Sequence, residues 1–225
     1  MTPLTIASVV AALKRYYGPR PKPITSSAFE MILVENIAYL GSEEERRAAL
    51  ELLRETVGTR PDQLARASLK QLEKITSAGI LPAQFAKKLQ ACGRIALEEF
   101  EGDLDAVLRL PTVAAKKALR LFPGIGEPGA EKILLFAGRQ PFLAPESNGL
   151  RVLERTGLIP KGRSYAAAYA AAKPLAADLK SDPRALAVAH RLLRHHGQTL
   201  CKRTSPRCGA CPLQLSCPSA PPSRP

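Results

Sequence analysis

Apolar residues recur along this chain every three to four positions and almost nowhere every second position, which is the signature of helices. The pattern predicts helices over Thr5 to Tyr17, Glu43 to Val57, Asp62 to Ala67, Leu69 to Ser77, Pro82 to Phe100, Asp103 to Leu108 and Ala114 to Leu121. After a glycine-rich turn it resumes over Ala130 to Ala137, Gly149 to Thr156, an alanine-rich stretch from Ser164 to Leu179, and Pro183 to Gly197. One stretch differs. Ala28 to Leu40, AFEMILVENIAYL, is apolar on nearly every side, which marks a helix buried at the centre of a helical domain. Gly18-Pro19 stops the helix before it, and the proline-rich linker ends in Ser26-Ser27, residues suited to capping the next helix. No run alternates as a strand does, and no internal repeat is visible, so the fold class expected is all-α.

Composition supports this reading. Hydrophobic residues make 45% of the 225-residue chain and aromatics only 5%, with no Trp and many Ala and Leu, a balance that favours helix over sheet. Charge adds a partner. Lys and Arg exceed Asp and Glu by 33 to 20, a formal charge of +13 with pI near 9.9, which calls for a polyanion, of which nucleic acid is the usual one. From Arg184 to the end there are seven basic residues and no acid; a merely solubilising tail is the alternative reading of that run. No segment approaches the roughly 18 apolar residues of a membrane span. MTPLTIASVVAALKRYYG has the pattern of an amphipathic helix rather than a signal peptide, so a cytoplasmic, nucleoid-associated monomer with no membrane partner is expected.

Candidate chemistry lies in three places. Pro123-Gly124-Ile125-Gly126 is a tight turn whose glycines reach positive φ without strain and aim successive backbone N–H groups at one point, with a helix N-terminus following. That combination is an anion site, and Gly124, Ile125 and Gly126 are candidate contacts for a DNA phosphate; a plain connector is the alternative. Gly124, Gly126 and Gly129 also spell the dinucleotide fingerprint, but the fingerprint needs a preceding strand and Ala114 to Leu121 is a helix. Four of the five cysteines, Cys201, Cys208, Cys211 and Cys217, fall within 17 residues. In an intracellular protein such a cluster points to metal rather than disulfides, and zinc and iron–sulfur groups both accept four cysteines. Only Cys208 and Cys211 form a close pair, so the spacing favours [4Fe-4S]; Cys92 reads as a core thiol. Finally, Glu35 interrupts an apolar run, where burial favours the protonated acid, and Glu146 lies in a polar loop after the hairpin. A carboxyl reaching a polar partner is the other reading of Glu35, and a solvated loop acid that of Glu146.

The spacing C-x6-C-x2-C-x5-C, preceded in order by Ala28-Phe29-Glu30, the pair of helices from Ile75 to Ile95, the hairpin and Ala189-His190 to Gly197, resembles the endonuclease III family of helix-hairpin-helix DNA glycosylases over nearly the whole chain. The resemblance implies a six-helix barrel over residues 28–140, and a second helical domain built from residues 1–27 and 141–218 around a [4Fe-4S] cluster, with DNA between them and a disordered tail over 219–225. It also implies site residues. Bifunctional members carry a Schiff-base lysine where this chain has Pro128, so the lysine-imine route to strand cleavage is expected to be lost unless another amine such as Lys132 replaces it. Glu146 stands where the family has its aspartate. Asn148 and Arg151-Val152 are similar to the corresponding residues of MutY-type adenine glycosylases, Asn148 as a DNA contact, and Glu35 falls on the position of their catalytic glutamate. Tyr39-Leu40-Gly41-Ser42 lacks the glutamine with which related enzymes fill the gap left by a flipped base, and the sequence ends soon after the cysteines, so adenine opposite 8-oxoguanine is not the expected substrate. The expectation is a DNA base-excision glycosylase, monofunctional, acting on duplex DNA with a damaged or mispaired base. The alternatives are a glycosylase with lyase activity through another amine, and a non-catalytic lesion-binding protein.

Overall fold

A computed structural model describes residues 4–19, 23–39 and 41–221. Among these residues every regular element is a helix, 13 α-helices and two single-turn 3-10 helices, with no strand. No helix among them is long and apolar enough to cross a membrane. The chain divides into two compact units, one of Lys22–Gly138 and one that joins Met1–Pro21 to Arg139–Pro225. Helix α1 (Ile6–Tyr17) belongs to the second, discontinuous unit.

The continuous unit runs through α2 (Ala28–Ile37), α3 (Glu43–Thr56), α4 (Pro61–Arg66), α5 (Leu69–Thr76), α6 (Pro82–Phe100), α7 (Leu104–Arg109), α8 (Thr112–Leu119) and α9 (Glu127–Phe136). Its axis is α2, which packs on α3, α5, α6, α7 and α9. Ser27 caps α2 by accepting from the Glu30 amide, and eight of its ten residues are buried. Burying Phe29, Ile32, Leu33 and Ile37 contributes about 1.5–3 kcal/mol per side chain. The Phe122 ring, just ahead of the hairpin turn, stacks on Phe100 and meets Phe29 edge-on, so that the turn is anchored to this core. Glu30 leaves α2 toward a bidentate Arg54 and the hydroxyls of Thr25 and Thr59. Its burial works against the charge, but these donors outweigh it and hold the carboxyl below the usual range.

The discontinuous unit adds α10 (Ser147–Arg155), α11 (Tyr165–Ala172), α12 (Leu175–Asp178) and α13 (Pro183–Thr199), followed by a cysteine-bearing loop with 3-10 turns at Cys208–Ala210 and Gln214–Ser216. Its centre is the packing of α10 and α1 on α13. Ile6, Val9 and Leu13 form the buried stripe of α1, which starts with a capping box between Thr5 and Ser8. The single helix expected over Ser164 to Leu179 is two, because Pro174 has no N–H to continue the ladder and its ring opposes the turn before it. Ser219 and Ala220, which fall in the disordered tail expected over 219–225, line a cavity with the cysteines, and the Ala220 amide donates to the Cys217 carbonyl; residues 222–225 lie outside the described residues.

Candidate active site and metal centre

The hairpin turn is held from below by an amide. Asn36, fully buried on α2, donates through Nδ2 to the carbonyls of Pro123 at 2.8 Å and Ile32 at 3.1 Å, and its Oδ1 has no partner among the described residues. Gly124 has φ +80°, the left-handed region, whereas Gly126 has φ −88° and ψ −173°, extended backbone that any residue adopts. The expectation that both glycines supply positive φ thus holds for Gly124 alone. What Gly126 supplies is space: a Cβ there would meet only Pro128 Cδ, at 3.7 Å. Helix α9 starts at Glu127, earlier than the Ala130 expected, with Pro128 inside its first turn. Its first backbone bond is Ala130 N to Gly126 O, so the amides ahead of it have no partner within the helix. Lys116 of α8 bridges Glu127 and Glu131 at 2.7 and 2.6 Å.

Glu35 is not sealed in the core as its apolar neighbours in sequence suggest. Its side chain is 24% exposed, and Oε1 is bonded to the Lys132 ammonium of α9. Lys132 lies one turn beyond Pro128 on the same helix face, and helical side chains lean toward the N-terminus, which carries its amine back toward the turn at Pro128.

Glu146 is the N-cap of α10 rather than a free loop acid. Its Oε1 accepts from the Gly149 amide at 2.9 Å and its Oε2 from Asn148 Nδ2 at 2.8 Å. The loop that delivers it is strained. Ala144 has φ +44°, and Pro145 follows directly, a setting in which helical conformations are disfavoured. The Ala144 carbonyl is held by His190 Nδ1 at 2.8 Å; a carbonyl only accepts, so Nδ1 carries the proton. Asn148, expected to contact DNA, is satisfied at both ends within the protein, since its Oδ1 accepts from Arg151 at 2.7 Å. Arg151 also donates to the carbonyls of Gly197 at 2.7 Å and Cys201 at 2.9 Å. Glu146, Asn148, Arg151 and the first cysteine are thereby connected by hydrogen bonds. Helix α13 approaches closely here, for a Cβ on Gly197 would lie 2.5 Å from the Asn148 carbonyl oxygen.

All four C-terminal cysteines line one cavity of about 170 Å3, together with Arg155, His196, Leu200 and Leu213. Arg155 donates to Cys201 Sγ at 3.4 Å and the Leu213 amide to Cys211 Sγ at 3.4 Å. Burial raises the Cys211 thiol above its usual range, the Leu213 N–H opposes that, and the three other cysteines add to it; four thiolates here need a cation among them. Among the described residues no three His, Cys, Asp or Glu side chains converge as a single ion requires, whereas a lone zinc draws its sulfurs to about 2.3 Å of one point. Four thiols lining one cavity are a donor set that zinc and iron–sulfur groups both accept. Cys92 is a core thiol, fully buried and pushed up to about 12 by that burial.

Asn36, His196 and the partners of Lys132 and His190 escape a reading of motifs. The one signal for Asn36 was an amide in an otherwise greasy helix, and the others pair across too much sequence to leave a local trace.

No family model matches the chain. Its sequence is 24% identical to endonuclease III of Escherichia coli strain K12 over 210 residues, 91% of this chain and 92% of that one. In structure it is similar to a trapped endonuclease III–DNA covalent intermediate, with a TM-score of 0.75 and 19% identity over 96% of this chain and 97% of the other. A thermostable thymine-DNA glycosylase matches with a TM-score of 0.74 and 16% identity over 95% of each chain. The fold is that of the helix-hairpin-helix DNA glycosylases. Within that class its sequence is similar to endonuclease III over about nine tenths of the chain.

Proposed function

We propose that the protein is a DNA N-glycosylase of base excision, which hydrolyses the bond between deoxyribose and a damaged or mispaired base flipped out of duplex DNA. The observation that carries this reading is Glu146, a carboxylate presented by a strained loop and fixed through both oxygens. Such preorganisation suits the stabilisation of positive charge developing on the sugar. The hairpin amides take a backbone phosphate, and the basic surface adds affinity without sequence preference. Glu35 gives a proton to the leaving base, with Lys132 as its partner in proton exchange.

Cys201, Cys208, Cys211 and Cys217 hold a [4Fe-4S] cluster, supported by their shared cavity and by the similarity to endonuclease III. When bound, the cluster ties residues 201–217 together through iron–thiolate bonds, which holds Arg203 and Arg207 in a fixed loop. Protein purified without oxygen should contain about four iron and four sulfide per chain. Stoichiometric zinc without sulfide would overturn the assignment.

A panel of single-lesion duplexes, scored for free base under single-turnover conditions, tests the enzymatic reading. Release from at least one duplex by wild type, and its loss in Glu146→Gln with binding retained, is expected. Binding without release on any duplex favours a protein that only recognises lesions. The Lys132–Glu35 contact supports one second reading, in which the amine gives up its proton to Glu35, condenses with the abasic sugar aldehyde with loss of water, and the imine so formed lets the C3′–O bond break by β-elimination with the phosphate leaving.

A further inference from the structure

Besides the cysteines, Arg155 and Arg207, the cavity presents one further ionisable side chain, His196, which is 1% exposed. Its Nε2 lies 3.6 Å from Cys211 Sγ, within reach of an N–H···S bond. Its other nitrogen, Nδ1, lies 2.9 Å from the hydroxyl of Tyr17, the last residue of α1. The same hydroxyl is 3.1 Å from Thr199 Oγ1, whose one proton can go either to the Tyr17 oxygen or to the His195 carbonyl at 2.8 Å.

These contacts fix a direction once Cys211 is a metal-bound thiolate. A thiolate has no proton and accepts only, so the imidazole proton sits on Nε2 and points at sulfur. Nδ1 is then an acceptor, and the Tyr17 O–H is in place to donate to it. We propose that His196 is a positioning residue of the cluster, donating Nε2–H to the Cys211 sulfur, and that Tyr17 holds the imidazole in that tautomer and orientation. This rests on the assignment of [4Fe-4S] to the four cysteines. An N–H dipole aimed at a ligand sulfur stabilises the more negative, reduced cluster, and hydrogen bonds to sulfur are one of the ways a protein sets a cluster's potential. Helix α1 is on this account part of the metal centre. The four cysteines that define the motif come from the other end of the chain.

The test uses the full-length protein purified without oxygen, as wild type, His196→Leu and Tyr17→Phe. Iron and sulfide are assayed first, then the midpoint potential by voltammetry, the iron–thiolate stretching bands by resonance Raman, and the rate of iron loss to a chelator. With full cluster in all three, both variants are expected to shift the potential to lower values and to move a stretching band, His196→Leu more than Tyr17→Phe, and to lose iron severalfold faster. Tyr17→Phe keeps the ring that packs edge-on against His195, so it decides the matter should His196→Leu fail to fold. An unchanged potential and unchanged stretching bands in Tyr17→Phe and in any folded His196→Leu, at full iron and sulfide, would overturn the proposal. Wild type devoid of iron and sulfide would instead overturn the cluster assignment beneath it.

Discussion

The two glycines of the hairpin allow folding and DNA binding to be separated at neighbouring positions. Gly124→Ala forces a side chain into φ +80°, which costs about 1–3 kcal/mol, and places its Cβ 3.0 Å from Asn36 Oδ1, the group that stands under the turn. For a chain of this size the melting temperature should fall by roughly 2–4 °C per kcal/mol. Gly126→Ala meets no such barrier. Its backbone is extended and its Cβ has only Pro128 Cδ nearby, so stability should stay level or rise by about 0.4–1 kcal/mol through a less flexible unfolded chain. If a phosphate approaches the turn as closely as the absent side chain allows, the same methyl displaces it. Loss of one charge-assisted amide–phosphate bond is worth about 1.5–3 kcal/mol, or roughly 10- to 150-fold in affinity, equally for damaged and undamaged duplex. Fluorescence anisotropy on both duplexes at fixed salt, with thermal melts alongside, reads the two quantities. Wild-type DNA affinity in a folded Gly126→Ala would refute phosphate binding at this turn and leave the hairpin a connector.

Three further outcomes are expected. Because Pro128 occupies the position of the Schiff-base lysine, borohydride should trap no adduct during base release; a trapped species that disappears in Lys132→Gln would show that this amine acts on the sugar. Glu146→Asp shortens a carboxylate that spans both the Gly149 amide and Asn148 Nδ2, so one of those bonds should stretch or break and single-turnover release should fall by about tenfold or more; equal or faster release would show that the loop accommodates the shorter acid. The lowered pKa of Glu30 contributes stability that is present above the ordinary value near 4.5 and lost as pH falls through the folded-state value. Glu30→Gln should therefore flatten the acid side of the urea-unfolding profile, and a profile unchanged from wild type would remove this cluster as a cause of acid sensitivity.

The helices were legible because a buried stripe repeats every turn, and α2 stood out because it has no polar stripe at all. Pro174 shows a weakness of that reading, since an alanine-rich stretch has a helical composition on both sides of a break that only the missing N–H reveals. The hairpin was visible from its glycines, but which one takes positive φ was not, because a glycine permits it at either position. Glu146 was legible as an acid and not as a cap, because glutamate is a less usual N-cap than aspartate and its longer reach matters only when Asn148 and the Gly149 amide are both in place. The pairings of Glu35 with Lys132 and of His196 with Tyr17 were illegible for a simpler reason. Lys132 is 97 positions from Glu35, and His196 joins Tyr17 across 179.

That last separation has a consequence for synthesis. All of Lys22–Gly138 is synthesised while α1, with Ile6, Val9 and Leu13 on one face, still lacks the helix it packs against. At about 5–20 residues per second, Pro183–Thr199 follows α1 by roughly 8–33 s. During that interval the first apolar stripe made is the last to be covered, and the amide-lined turn that we propose grips DNA is complete before the loop that carries Glu146 exists. A nascent chain interrupted after Gly138 would thus carry the whole hairpin unit behind an amphipathic helix that lacks α13, a species for chaperones and proteases to recognise by that helix.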